Sequence, residues 1–454
     1  MSEGMGKDEH IQKEKISREM LFQIVIISIM NVGSSIFFSF EGTVFNSYVR
    51  FVLDHTYFYV AIMVSLSATM GLIFWFVFGI ISDNTRSKWG RRRPYMLLGP
   101  VAGVSMILFA FSPNFYWCLF FDVVIIGIFA NAHLAAEESV LPDVVDKQYR
   151  GRANAIKGFL MIVGGLVPNV LLLYVYDAYT VPHATEGRAI TYEGHFLLIL
   201  IGGLIFIISC LIGFFFIREP DIESMPPKKS FKEELLELFR IEEFQANKDF
   251  FIFLLAFFLF NVGTKIFGVY SFFYVLKLDL ELLLLVLALI TLGPLAIGFG
   301  FLGGFLADKK GRKKLVIPLF LIASIGYIMM PMAGTGADLN INILIIGLIF
   351  ALLGSGAIGA PLQAWRQDLL PDDKRGQYTG IMNITGTLNQ IPAAIIAALV
   401  ADSFGVEFTM WIIPFFLLGS IPIFMKVKET LPVDLPKDKI VIEEEKNHSG
   451  LGQD

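Results

Sequence analysis

DNTRSKWGRRRPY, residues 83–95, decides how this chain folds. Arg86, Lys88, Arg91, Arg92 and Arg93 crowd into it, in a chain whose charged fraction is 17%. On either side lie MVSLSATMGLIFWFVFGIIS and MLLGPVAGVSMILFAFS, neither of which could flank a soluble nucleic-acid site. Apolar runs of this kind recur along 454 residues that are 55% hydrophobic and hold 44 Phe and 41 Gly. A bilayer is crossed by about 20 apolar residues as helix. Water cannot serve the backbone there, so the runs must pair their own polar groups as helices. The chain reads as an all-α polytopic membrane protein, and its net charge of −5 says little about partners because charge is sorted by loop.

Other classes fall away. Cys118 and Cys210 both lie in apolar runs, so neither a disulfide framework nor a metal-ligand set can be built from them. No spacing supports a nucleophile–base pair or a phosphate-cradling loop, so no enzyme, cofactor or metal is expected. The first nineteen residues are polar and lack the layout of a cleavable signal, which reads as a cytoplasmic tail.

Working outward from the basic stretch, candidate spans lie near 20–46, 57–82, 94–113, 115–141, 152–176 and 194–217. They resume near 248–276, 281–307, 313–334, 340–369, 375–401 and 405–427. Lys and Arg then sort by loop. The 83–93 cluster, Lys147/Arg150/Arg152, Lys228/Lys229, Lys309/Lys310/Arg312/Lys313/Lys314 and Lys374/Arg375 all occupy even-numbered loops. The positive-inside rule puts these loops and both termini in the cytoplasm of a multi-pass protein of the cell membrane.

The chain also repeats itself. Gly79 and Asp83, followed by Gly90-Arg91-Arg92, return as Gly304 and Asp308, followed by Gly311-Arg312-Lys313. Asn31-Val32-Gly33 returns as Asn261-Val262-Gly263, and Leu141-Pro142-Asp143 returns as Leu370-Pro371-Asp372. The implied organisation is a cytoplasmic tail at 1–19, a six-helix bundle at 20–218, a linker at 219–247, a second bundle at 248–428 and a cytoplasmic tail at 429–454. Within the linker, KEELLELFRIEEF has the spacing of an amphipathic surface helix. Parallel repeats of this kind are an architecture of secondary transporters, with the solute held near the midplane between the halves.

With these motifs in place, the chain resembles the major facilitator superfamily. SDNTRSKWGRRRPY more closely resembles the loop of its glycoside–pentoside–hexuronide:cation symporters, including sucrose transporters and melibiose permeases. That resemblance implies cation-coupled symport of a sugar or glycoside by alternating access, in a monomer whose partners are its small-molecule sugar and the bilayer, with no nucleic acid. A lipid or other organic solute, and sodium in place of protons, are the alternatives. Asp83 with Arg91 and Arg92, and Asp308 with Gly311 and Arg312, are expected to form paired cytoplasmic gates, with Gly79 and Gly90 allowing close approach and a tight turn.

Polar side chains are costly inside a bilayer and mark function there. In helix one, Asn31, Ser34, Phe38, Glu41 and Phe45 share a face, and their repeat partners are Asn261, Thr264 and Lys265. Helix four offers Asn131 with Glu138 on one face and His133 with Glu137 on another. Laid against the sucrose-transporter pattern Arg-Ala-Leu-Leu-Ala-Asp-Leu, ESVLPDV puts Glu138 at a substrate-linked arginine and so reverses its charge. The melibiose-permease pattern Ser-Leu-Val-Pro instead places Glu138 at a sugar-stacking tryptophan. Helix five adds Asn154 and Lys157, the latter near an arginine of the melibiose permeases. Helix ten adds Gln363, Trp365, Arg366 and Gln367, and helix eleven Asn383, Thr387 and Gln390. The repeat sets Glu137 against Arg366 and Glu138 against Gln367, and carboxylates facing that arginine would form an ion-pair gate or a cation-coupling pair. A helix-end position for Glu41, and loop arginines as partners of Glu137 and Glu138, are the structural alternatives. Helix two lacks the aspartate pair that resemblance to the melibiose permeases would place at a sodium site, which favours protons, carried by Glu41 and Glu138.

Overall fold

The computed structural model describes residues 17–220, 247–371 and 375–431. Among these, eleven helices are long and apolar enough to cross a membrane, and the shorter apolar Arg93–Phe109 completes the set. The first half holds α1 (Arg18–Phe51), α2 (Tyr57–Asn84), α3 (Arg93–Phe109), α4 (Phe115–Val144), α5 (Lys147–Ala178) and α6 (Tyr192–Phe216). The second holds α7 (Lys248–Leu278), α8 (Leu282–Lys310), α9 (Lys313–Met332), α10 (Ile341–Asp368), α11 (Tyr378–Phe404) and α12 (Val406–Phe424). The amphipathic stretch 232–244, the basic pair Lys228/Lys229, Lys374 and most of both tails lie outside the described residues.

Local chemistry starts these helices where short polar residues interrupt the apolar runs. The Ser17 hydroxyl caps α1 by accepting from Met20 N at 3.0 Å, and Asn114, Thr191 and Asn340 cap α4, α6 and α10 in the same way. Pro94 takes the first turn of α3, where its missing N–H costs nothing. Within a half, packing relies on small residues, because lipid gives helices no hydrophobic reason to associate. A Cβ on Gly103 of α3 would come within 2.9 Å of the Gly203 carbonyl of α6. In the second half Gly326 and Gly354 admit the α9 and α10 backbones to similar approach.

Two features were not expected. A short antiparallel hairpin, β1 (Thr180–His183) and β2 (Gly187–Ile190), joins α5 to α6, with Thr180 opposite Ile190. Its turn needs Gly187 at φ +68°. In addition, α1 and α4 each contain a π-helical stretch, Glu41–Phe45 and Phe120–Ile126.

The halves meet along α2 and α11 and along α5 and α8. At the end carrying the hairpin they are sealed. Asp402, near the end of α11, accepts the Tyr57 and Phe58 backbone N–H groups at 2.8 and 2.9 Å. The Tyr176 hydroxyl donates to Leu280 O at 2.7 Å, Arg188 pairs with Asp279 at 2.5 Å, and Lys277 donates to Thr185 O. Tyr57 packs on Tyr270 and Phe273 across the seam, and its hydroxyl donates to Glu186, which also holds Arg50. At the opposite, basic end the described ion pairs stay within one half. There Glu138, Asn154, Gln363, Gln367 and Asn383, drawn from α4, α5, α10 and α11, are exposed. The molecule is closed at the hairpin end and cleft at the basic end.

Candidate functional site

Midway along the helices a cavity of about 490 Å³ separates the halves. The first half contributes Phe38 and Glu41 from α1, Ser67 and Trp75 from α2, and Asn131 and Glu138 from α4. Facing them stand Arg366 of α10 and Asn383, Thr387 and Gln390 of α11. Toward the hairpin end a second chamber of about 280 Å³ shares Phe38, Glu41, Ser67 and Gln390 with the first, and adds Asp122 and Lys265. Ser67 donates to Glu41 Oε1 at 3.0 Å, and Trp75 lines the cavity together with Glu138. The walls are of opposite charge: carboxylates on the first half, Arg366 and Lys265 on the second.

Eight of the expected residues thus line these spaces: Glu41, Asn131, Glu138, Lys265, Arg366, Asn383, Thr387 and Gln390. The shared face of α1 divides. Phe38 and Glu41 reach the cavity, whereas Asn31 turns back to Ile27 O at 2.8 Å and Ser34 donates to Glu137 at 2.6 Å. Phe45 is buried against Phe109, ring centroids 3.6 Å apart. The π-helical stretch from Glu41 explains this, since its extra residue per turn rotates the later side chains off the 3.6-residue face.

Several expectations are corrected. His133 and Glu137 lie inside the first bundle: His133 Nε2 is 3.4 Å from Glu137 Oε2, with Cys210 Sγ at 3.6 Å and Ser34 completing the cluster. Glu137 therefore does not face Arg366; Glu138 lines the same cavity as that arginine, whose guanidinium stands 5.6 Å over Phe257. Trp365 is fully buried in the second bundle, bonded to Lys428 O at 3.0 Å and packed on Phe253 and Phe424, so it offers a solute no face. Asn261 bonds Phe257 O of its own helix at 2.7 Å. Lys157 is half-buried and an electrostatic neighbour of Glu138, while Asn154, Gln363 and Gln367 are exposed and do not line the cavity. Trp75 and Asp122 were missed. The signal for Asp122 was present, an acid inside FYWCLFFDVVIIGIF, which by cost alone marks function.

At the basic end, Arg92 is nearly buried and joins three helices. It pairs with Asp83 of α2, with Asp143 of α4 at 3.0 Å, and donates to Ser82 Oγ at 2.6 Å. Arg91 reaches Asp143 at 2.6 Å. Glu219, just after α6, accepts the backbone N–H groups of Arg91, Arg92 and Arg93 at 2.6–2.9 Å, which puts a carboxylate on the positive end of α3. Gly90 holds φ +109°, and Gly311 in the second copy holds +84°. Gly79 has open space where a Cβ would go. All of these groups except Gly311 belong to the first half, so the network braces one bundle and does not clamp the two together. Asp308 is exposed and forms no ion pair with a described residue; Arg312 pairs instead with Asp368, and Glu429 accepts Lys313 N at 2.9 Å.

A family model described as Major Facilitator Superfamily matches residues 24–394 and again 295–452. The magnetosome protein MamH of Paramagnetospirillum magneticum is 29% identical over 107 residues, 21% of this chain and 25% of that one. The general alpha-glucoside permease of Schizosaccharomyces pombe is 22% identical over 188 residues, 37% of this chain and 32% of the permease. The chain thus aligns with a third or less of the length of these curated relatives. Among solved structures, a variant of the nucleoside transporter NupG superposes with TM-score 0.68 at 13% identity, covering 89% of this chain and 99% of that one.

Proposed function

From the premise that this chain belongs to the Major Facilitator Superfamily, and so is a membrane transporter and not an enzyme, we propose that it is a cation-coupled symporter of a sugar or glycoside. The observation that carries the reading is the cavity between the halves, shut at one end and cleft at the other. Its polar lining suits a polyol: the Asn131, Asn383 and Gln390 amides each offer both donors and acceptors. Trp75 and Phe38 supply flat apolar faces, and carbon-bound hydrogens of a sugar ring pack on such faces. A partial relative that carries a glucoside agrees in substrate class. With the basic loops read as cytoplasmic, an opening at the basic end corresponds in this reading to an inward-open state of an alternating-access cycle.

The chemistry of one cycle is set by the walls. Solute entering the cavity bridges amides of both halves, and this favours the state in which those halves close around it. Carboxylates on the first half and cations on the second attract as the cleft narrows, and a bound cation sets how much charge must be carried through the closed state.

One further observation favours a greasier solute. An apolar groove of about 630 Å³ runs between α5 and α7, α8 and α10, with Tyr176, Phe267, Leu285, Leu289 and Tyr327 in its walls. The deciding experiment is uptake of a radiolabelled glycoside panel into proteoliposomes under an imposed proton or sodium gradient. Accumulation of one glycoside driven by protons is the expected result. Sodium-driven accumulation changes the ion, and no glycoside uptake with a co-purified lipid selects the other solute class.

A further inference from the structure

Asp122 is the intramembrane carboxylate to which solute binding gives no task. It is 2% exposed, and its Oδ1 is buried with no hydrogen-bond partner while the residue lines the smaller chamber. Its neighbour there is Glu41, which lines the same chamber and is its electrostatic partner. Each is carried on a π-helical segment, Phe120–Ile126 in α4 and Glu41–Phe45 in α1. Such segments turn a side chain away from the regular face of its helix and collect at functional sites. Two independent distortions of long apolar helices therefore converge on one pair of acids.

An ionised carboxylate only accepts hydrogen bonds. Two carboxylates side by side in a buried chamber repel one another, and one proton shared between them relieves that repulsion. Across the chamber the second half contributes Lys265 from α7 and Gln390 from α11, and Ser67 of α2 donates to Glu41. Lys265 forms no ion pair with a described residue, and no other titratable side chain lines the chamber among those residues. On α4, Cys118 lies one turn from Asp122 and is buried, and Glu138 belongs to the adjoining cavity.

We propose that Glu41 and Asp122 together bind the coupling proton in the smaller chamber, which adjoins the solute cavity through Glu41, balanced by Lys265 of the opposite half. This rests on the transport reading above and assigns its cation site. Uptake of a proton converts two carboxylates into one shared O–H···O unit with a single negative charge, which the Lys265 ammonium matches as the halves close. Loss of that proton leaves two negative charges against one positive, and the closed state then encloses an uncompensated charge in a medium that solvates it poorly. Closing is thereby tied to protonation. Glu138, at the exposed mouth of the larger cavity, is left to the solute.

The test has two readouts on the full chain. In nanodiscs, infrared spectroscopy of the wild type at neutral pH is expected to show a protonated-carboxyl C=O band that bleaches on alkaline titration. The Glu41→Gln/Asp122→Asn double variant is expected to lack the band, and Glu138→Gln to retain it. In proteoliposomes, Asp122→Asn is expected to lose about tenfold of its proton-driven accumulation, the scale of a site-to-site coupling energy, while solute exchange falls far less. Glu41→Gln serves as the second variant if Asp122→Asn fails to elute as folded protein. A wild type without the band, a band that survives in the double variant, or sodium-driven accumulation overturns the assignment. If the wild type moves no glycoside yet shows a band that depends on the pair, the sugar reading fails while the proton site stands.

Discussion

Two tryptophans show how position outweighs residue type. Trp75 lines the cavity beside Glu138, whereas Trp365 is sealed between Phe253 and Phe424. Trp75→Ala is expected to weaken glycoside binding by about threefold to tenfold, the value of one aromatic contact beyond its area, with little change in melting temperature. Trp365→Ala is expected to do the reverse, costing about 3–5 kcal/mol of stability as a core truncation. Ligand titration and thermal melting of the two purified variants separate them; equal loss of binding in both would return Trp365 to the site. Sequence reading chose Trp365 because it stands beside Arg366 in a polar helix end, and helical spacing does not reveal which side of α10 faces its own bundle. Charge was the more legible feature: Glu41, Glu138, Lys265 and Arg366 reach the cavity walls because a charge in an apolar span has few other places to go. His133 and Glu137 escaped that logic by satisfying one another inside the first bundle.

At the scale of the element, the start of α3 depends on a residue well over a hundred positions away. Glu219 accepts three consecutive backbone N–H groups there, while Gly90 makes room for its carboxylate: a Cβ on Gly90 would lie 2.8 Å from it. Glu219→Gln removes the charge at a helix N-terminus and is expected to cost about 1–2 kcal/mol. Gly90→Ala adds backbone strain at φ +109° as well as the clash, so its loss should be the larger of the two. Thermal melts in detergent check both, and a Gly90→Ala protein as stable as wild type would show that the loop rearranges freely. The span boundaries were legible because apolar run length reports them almost directly, and the turn glycine was legible from its repeat at Gly311. The role of Glu219 was not, since Arg218-Glu219-Pro220 reads as the start of a solvated linker until α6 and α3 are seen side by side. The π-helical stretches were equally hidden, because nothing in the local composition of EGTVF or FFDVVII demands an extra residue per turn.

For the whole molecule, the seal and the cleft are decided by where inter-half bonds are spent. The basic loops announced themselves in the sequence as the gate, yet Asp83, Arg91, Arg92 and Asp143 brace one bundle, and among the described residues the hydrogen bonds and ion pairs between the halves lie at the hairpin end. Sequence could not show this, because Asp402 and Tyr57 are 345 positions apart and neither belongs to a repeated motif. Asp402 is well placed to act as a switch. Its carboxylate bonds two free N–H groups at the first turn of α2, so it uses both the helix dipole and hydrogen bonds that no other group of α2 can satisfy. Hydrogen bonds to a charged group contribute about 1.5–3 kcal/mol each. Asp402→Ala removes both, and is expected to move the resting population toward a state open at the hairpin end by about tenfold or more. Spin labels on the hairpin-end turns of the two halves should then show a longer distance population that is scarce in wild type, and solute should reach the cavity from that side in the absence of any gradient. Because opening at one end must accompany closing at the other, the same variant should protect a cysteine at position 383, which lines the cavity and is exposed, from thiol labelling. Longer hairpin-end distances with undiminished labelling at 383 would mean that the seal frays locally and that the halves do not move as rigid bodies.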